Sequence, residues 1–260
     1  MVQVPEEFSG KAEWVHHIFT NIAGRYDRMN SIFSFGQDGW WREELVLLSG
    51  FGPGDYVVDV CCGTGKVTTI LAREVAPTGR VVGVDFCEQM LDGARRNIGA
   101  DPWDELIEFV QGDATALPFS DSSFDGACTA FGLRNVSDYR KVLAELRRVV
   151  RPGGTVAVME LAKPFAPIWR DAYFLYFNHV MPWIGRLGVG RKNLYEYLPG
   201  SLREFPDQDT VFREIQEIGF TQVKQRVLDG GIVAIHTAVK PLAASPSGAA
   251  ISTRGMVPAH

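Results

Sequence analysis

Val57–Gly65 reads VVDVCCGTG, and Lys66–Val75 continues it as KVTTILAREV. An apolar run closed by an acid at Asp59, a tight Gly63-Thr64-Gly65 turn and then apolar residues at helical spacing describe a buried strand that turns directly into a helix. Val67, Ile70, Leu71 and Val75 supply that spacing. The glycines let the main chain pass close to a ligand, and the first N–H groups of the helix point at the same place, where an anionic group is favoured. GTGKVT lacks the third glycine that brings a helix under a pyrophosphate, so the dinucleotide fingerprint is not met. Twenty residues after Gly65, Val81–Asp85 supplies a second buried strand ending in an acid, where α/β nucleotide sites place a ribose-binding carboxylate. Adenosine without phosphates is the ligand that fits; taken alone, one GxG turn is equally a plain strand-to-helix connection.

Working outward, Ile107–Val110, Gly126–Phe131 and Thr155–Leu161 read as further strands. Helices over Glu88–Ile98 and Tyr139–Val150 separate them, the second stopped by Arg151-Pro152-Gly153-Gly154. Repeated strand-helix-strand units imply a parallel sheet with right-handed crossovers. Ligands sit outside the carboxyl ends of such strands, which puts Asp113 and Ala114 beside Gly63 and Asp85, at an adenine edge. Asp113 is also compatible with a mere turn cap. Asp209 or Thr210 can cap a helix to Ile218, and Thr221–Leu228 with Ile232–Val239 form a hairpin that adds an antiparallel edge. The expectation is an α/β fold: a seven-stranded, mostly parallel Rossmann-like sheet with an antiparallel C-terminal hairpin. It forms one domain over residues 1–240, with a helical arm at 11–50 and an insertion at 162–208. Residues 241–260, rich in Ala, Ser, Pro and Gly, read as a disordered tail.

A chain of 260 residues, 46% hydrophobic, is long enough for one large core. A net charge of -5 without a basic run gives no electrostatic footprint for nucleic acid or anionic lipid. Cys61, Cys62, Cys87 and Cys128 show neither CxxC nor a nearby His at ligand spacing, so they read as buried thiols in a reducing compartment and no metal site is expected. No run reaches the length of a membrane span and the start is not a secretory signal, so the expected place is the cytoplasm, with peripheral contact at the inner face of a membrane. A homodimer is left open.

Two stretches are unusually aromatic. In the arm, Trp14, Val15, Ile18, Phe19 and Ile22 mark an amphipathic helix, and Trp40 and Trp41 read as either core or the lip of an apolar pocket. Between positions 165 and 205 there are ten aromatic residues, more than twice the density expected from the chain's 11% average. That portion reads as a lid that is both a satellite core and the wall of an apolar pocket.

The longer words are more specific. Tyr26-Asp27-Arg28-Met29-Asn30 with Ser34-Phe35-Gly36, Ala116-Leu117-Pro118-Phe119, Phe131-Gly132-Leu133-Arg134-Asn135-Val136, His179-Val180-Met181-Pro182, Phe205-Pro206-Asp207-Gln208 and Gly231–His236 occur in this order. Together they resemble the quinone C-methyltransferases of menaquinone and ubiquinone synthesis, within the class I S-adenosylmethionine-dependent methyltransferases. The resemblance covers about residues 14–240. It implies S-adenosyl-L-methionine as cofactor, with Asp59, Gly63, Thr64, Gly65, Asp85, Asp113, Ala114 and Ala130 as its binding set. It implies a prenylated quinol as substrate, demethylmenaquinol ahead of a benzoquinol. A dual enzyme, another apolar substrate and an inactive cofactor-binding scaffold are the alternatives. The sequence departs from the family at Cys61-Cys62, which make the turn bulkier, at Ala130, where many members carry serine, and at Asp38, where histidine is common.

Methylation of a ring carbon needs that carbon held in line with the methyl group, and a phenolate oxygen next to it must be stabilised. Arg134 and Asn135 follow the end of a central strand and are the candidates. A guanidinium stays protonated at working pH, so Arg134 is expected to act electrostatically and Asn135 to hydrogen-bond a ring oxygen. His179 is the candidate base; His236, in an apolar strand, reads as a satisfied core residue. Tyr26, Trp41, Tyr176, Tyr195 and Tyr197 are the candidates for lining the ring and tail pocket.

Overall fold

The computed structural model describes residues 4–99, 101–181 and 197–242. Seven strands form one sheet: β1 Tyr56–Val60, β2 Arg80–Asp85, β3 Ile107–Gln111, β4 Phe124–Ala130, β5 Val150–Leu161, β6 Thr221–Leu228 and β7 Val233–Val239, in the spatial order β3-β2-β1-β4-β5-β7-β6. β1 to β5 are parallel, and the order reverses at β1 and β4, which pair as Val57 with Gly126 and Asp59 with Cys128. β7 runs antiparallel to both neighbours, so the hairpin folds back between β5 and the edge and leaves β6 outermost. The tail beyond Leu242 lies outside the described residues.

Alternation along β1 decides the layers. Val58 and Val60 join a core with Leu143, Leu146 and Ile215, while Val57 joins a second core with Leu45, Leu71 and Ala157 on the opposite face. α4 (Lys66–Val75) presents Val67, Leu71 and Val75 to that second core, and α6 (Tyr139–Val149) presents Val142, Leu143, Leu146 and Val149 to the first. Burying a Leu such as Leu71 or Leu143 contributes about 2 kcal/mol. Asp138 caps α6, its carboxylate accepting from the amides of Arg140 and Lys141. The helix at Gln208–Glu217 is capped by Asp207, not by the expected Asp209 or Thr210: the Asp207 carboxylate accepts from the Thr210 amide.

The arm comprises α1 (Lys11–Ile22), α2 (Tyr26–Phe33) and α3 (Asp38–Ser49). α1 and α2 share a small core of Trp14, Val15, Ile18, Ile22 and Met29 with Tyr197. The described part of the insertion holds α7 (Pro167–Leu175), which winds on as a π-helical turn at Tyr176–Val180, and α8 (Tyr197–Glu204). Tyr173, Phe177, Met181 and Leu202 pack there as a satellite core, as the aromatic density implied.

Candidate active site

β1 and β4 leave the sheet in the same way. The residue that follows the strand, Cys61 after β1 and Phe131 after β4, has a left-handed backbone, φ 60° and 58°. This conformation is rare for residues with a Cβ and is held only where surrounding structure over-determines it. It brings the two strand ends together so closely that a Cβ on Gly132 would lie 2.5 Å from the Cβ of Cys61. Gly65, φ 77°, is likewise pressed on Ala94 and Phe109, so its role is to seat α4 and not to touch a ligand.

Two cavities open at this switch point. The first, about 240 Å³, is lined by Gly63 and Cys61 after β1, Asp85 at the end of β2 and Phe86 after it, Asp113, Ala114 and Thr115 after β3, and Ala130, Gly132 and Asn135 around the end of β4. Ala12, Val15 and Phe19 of α1 close it from above. Asp85 is buried, and its two carboxylate oxygens accept from the amides of Gly63 (2.8 Å) and Cys87 (3.0 Å). Burial pushes its pKa up, opposed by those same amides. The acid thereby fixes the glycine turn and keeps free lone pairs for a diol. α1 is stapled over the cavity by Lys11, whose ammonium donates to the carbonyls of Arg134 and Val136, both at 2.8 Å.

The second cavity, about 560 Å³, is lined mainly by apolar residues, among them Phe33 of α2, Trp41 of α3, Tyr173 of α7, Tyr176 and Phe177 of the π-helical turn and Ile232 before β7, together with Arg134, Asn30 and Asp38. Tyr26 and Phe131 line both cavities. The Phe131 ring also has the guanidinium carbons of Arg42 and Arg134 at 5.9 and 6.0 Å from its centre. Both arginines are neutralised locally, Arg42 by Asp38 and Arg134 by Glu160. Glu160 further accepts from the backbone amides of Arg134 (3.1 Å) and Leu161 (2.8 Å). Burial works against the Arg134 charge, but Glu160, Tyr26 and Tyr197 together outweigh it and hold the guanidinium pKa above its ordinary value. The Arg134 Nε and the Tyr173 hydroxyl are buried without a hydrogen-bond partner.

Not every expected site residue lies in these cavities. Asp59 faces α4 inside the protein, accepting from the hydroxyl of Thr68 (2.7 Å) and the thiol of Cys128 (3.6 Å). Burial pushes its carboxyl pKa up to about 7. Thr64 donates its hydroxyl to Asp27 at 2.5 Å and so is tied to the arm. Thr64 and Asp59 reach only a pocket of about 30 Å³ beside Gly63, Arg42 and Lys66. Asn135 lines the first cavity, not the second, and its amide donates to the Phe131 carbonyl at 3.0 Å, so it is not placed to bind a ring oxygen. His179 is exposed on the π-helical turn, outside both cavities, because Tyr173 and Phe177 take the inward positions. Tyr197 is buried against Trp14, ring centres 5.2 Å apart, and Leu198 faces the cavity in its place. Tyr195 lies outside the described residues. Of the tryptophan pair, Trp41 is buried with its indole N–H on Asp229 (2.5 Å), while Trp40 is half exposed. His236 is a core residue, with Nε2 3.0 Å from the Gln208 carbonyl and burial lowering its pKa to about 4, but its Nδ1 is buried without a partner, so it is not the fully satisfied histidine expected.

The sequence reading missed Glu160, Asp27, Lys11 and the double role of Phe131. Glu160 had a signal: like Asp59 and Asp85, it is an acid near the carboxyl end of an apolar strand.

The ubiE/COQ5 methyltransferase family model matches residues 7–240. The chain belongs to this family. It is 43% identical over 237 residues to the demethylmenaquinone methyltransferase of Desulfitobacterium hafniense strain Y51, covering 90% of this chain and 94% of that protein. It is 42% identical over 228 residues to the demethylmenaquinone methyltransferase of Staphylococcus aureus strain JH9, covering 88% and 93%. The fold is that of S-adenosylmethionine-dependent methyltransferases: a solved example from Aquifex aeolicus superposes with a TM-score of 0.56 at 20% identity, covering 76% of this chain and 89% of that one. The first cavity of this methyltransferase suits S-adenosylmethionine. Its lining carries the Asp85 carboxylate at the end of β2 together with Phe86 and Ala114, and the adjoining small pocket carries Arg42 and Lys66.

Proposed function

We propose that this methyltransferase carries the methyl group of S-adenosylmethionine to the ring carbon of a demethylmenaquinol. The observation that carries this reading is the shared wall: two cavities of different chemistry, one polar-edged and nucleoside-sized, one apolar and larger, meet at Tyr26 and Phe131. The two relatives bearing that name support the naphthoquinol over a benzoquinol. When bound, S-adenosylmethionine supplies an electrophilic methyl group. Asp85 would hold the ribose, and Gly63 with the Arg42 and Lys66 pocket the carboxylate end. Trp41, Phe33, Tyr176 and Phe177 enclose the quinol ring and the start of its tail. Arg134, fixed by Glu160, offers its free Nε–H to a ring oxygen, so that the phenolate left when the hydroxyl proton passes to solvent is stabilised; conjugation shares that charge with the ring carbon, which is the nucleophile.

The same reading places the chain at the surface of a membrane, on its cytoplasmic side. Among the described residues no helix is long and apolar enough to cross one. Around the mouth of the apolar cavity, however, Phe35 is 79%, Ile168 88% and Leu175 61% exposed. Phe35 stacks on Tyr176 at 5.7 Å, which joins the α2 side of this rim to the α7 side. Apolar side chains exposed on two elements around a cavity for a prenyl tail fit a lipid surface.

Labelled S-adenosylmethionine and two reduced substrates of equal tail length, a 2-prenyl naphthoquinol and a methoxy-benzoquinol, test the reading. Label in the naphthoquinol alone is the expected outcome; label in neither would overturn it.

A further inference from the structure

We infer that Tyr173 is a positioning and charge-stabilising donor of the reaction: its hydroxyl and the Nε–H of Arg134 form a two-point receptor for one ring oxygen of the substrate. The inference rests on reading the larger cavity as the quinol site. Tyr173 is 5% exposed, it lines that cavity, and its hydroxyl is buried with no partner. Arg134 lines the same cavity, and its Nε is likewise buried without a partner. A buried polar group without a partner is costly, so two unpartnered donors on residues that line one apolar cavity point to an acceptor that arrives with the ligand.

The electrostatics explain why one donor does not suffice. Glu160 sits against the Arg134 guanidinium, so Arg134 presents an oriented N–H and little net charge. A developing phenolate then needs a second dipole. Tyr173 lies close enough to feel both Arg134 and Glu160, and burial holds its hydroxyl pKa above the ordinary value, so it keeps its proton and donates. Its ring is seated on Phe177, centres 4.5 Å apart, which fixes the hydroxyl without occupying it. No proton leaves Tyr173: the ring oxygen loses its own proton to solvent and receives the hydrogen bond in exchange.

Tyr173→Phe keeps the ring and its packing and removes only the unpartnered hydroxyl, so the variant should fold with unchanged or slightly higher stability. The test uses 1-naphthol, a tailless aromatic alcohol whose ionised form absorbs at longer wavelength, titrated while bound to each protein. The expected result is an ionisation midpoint about one pH unit higher in Tyr173→Phe than in wild type. In methyl transfer the variant should lose about 100-fold in kcat, at the low end for one oxyanion donor, with unchanged affinity for S-adenosylmethionine. Equal midpoints in the two proteins, or no binding of 1-naphthol to wild type, would overturn the inference. A shifted midpoint in a wild-type protein that methylates no quinol would keep Tyr173 as the oxygen receptor and instead discard the proposed reaction.

Discussion

Arg134 and Glu160 are joined twice, since Glu160 takes the guanidinium Nη1–H on one oxygen and the Arg134 backbone amide on the other; Glu160 also accepts from Leu161, its own neighbour in β5. The pair locks the loop after β4 to the end of β5. Phe131, whose carbonyl accepts from Arg134 at 3.1 Å and from Asn135 at 3.0 Å, is fixed by the same lock.

Glu160→Gln therefore leaves a buried cation without its counter-charge. The expected loss is about 3 kcal/mol, or about 6 to 12 °C in Tm for a domain of this size. Thermal unfolding followed by circular dichroism checks it. Methyl transfer should fall with it, because Arg134 is no longer aimed.

Lys11→Met removes the two bonds that hold α1 over the nucleoside cavity. Burial already lowers the Lys11 pKa, so its ammonium is retained by these carbonyls and by nearby acids. S-adenosylmethionine affinity should drop about 10-fold, equivalent to about 1.4 kcal/mol, with the sheet intact. Calorimetric titration measures it.

Asp59 and His236 make opposite contributions to stability versus pH. The folded pKa of Asp59 is raised to about 7, so its contribution is full below an ordinary carboxylate pKa and is lost as pH climbs to 7. That of His236 is lowered to about 4, so its contribution is full above 6.5 and is lost as pH falls toward 4. Relative to wild type, Asp59→Asn should gain stability with rising pH from 4 to 7. His236→Gln should lose it from 4 to 6.5. Each slope is about 1.4 kcal/mol per pH unit at most, readable from urea midpoints at three pH values.

Ile168 and Leu175 face outward on α7, beside the cavity and not in it. The double variant Ile168→Asp, Leu175→Asp should lose at least about 10-fold in vesicle binding, since each side chain inserted contributes about 1.5 to 3 kcal/mol. With a net charge of -5, binding by wild type should not require anionic lipid. Sedimentation with zwitterionic and anionic vesicles measures both, while turnover of a short-tailed quinol stays unchanged.

The sheet was legible because buried parallel strands are near-continuous apolar runs, as in Val81–Val84, and because α4 and α6 carry apolar residues on one face. Asp85, Asp113 and Ala114 were legible because strand ends in this topology converge. What escaped were partnerships across the chain. Nothing near Thr64 announces that Asp27, thirty-seven residues earlier, takes its hydroxyl. Glu160 meets Arg134 from a strand twenty-six residues away. In the insertion, aromatic density marked a pocket wall, but the spacing does not say which tyrosine faces inward: Tyr173 lines the cavity, whereas Tyr197 packs on Trp14.

The central claim is that the cofactor and the quinol ring occupy separate cavities that meet only at Tyr26 and Phe131. A crystal structure with S-adenosylhomocysteine and a prenylated naphthol bound together tests it most directly. The account expects the nucleoside over Asp85 with its sulfur at Phe131, and the ring beyond Phe131 with its oxygen toward Arg134 and Tyr173. A ring bound in the nucleoside cavity, or separated from the sulfur by the closed Phe131 side chain, would contradict it.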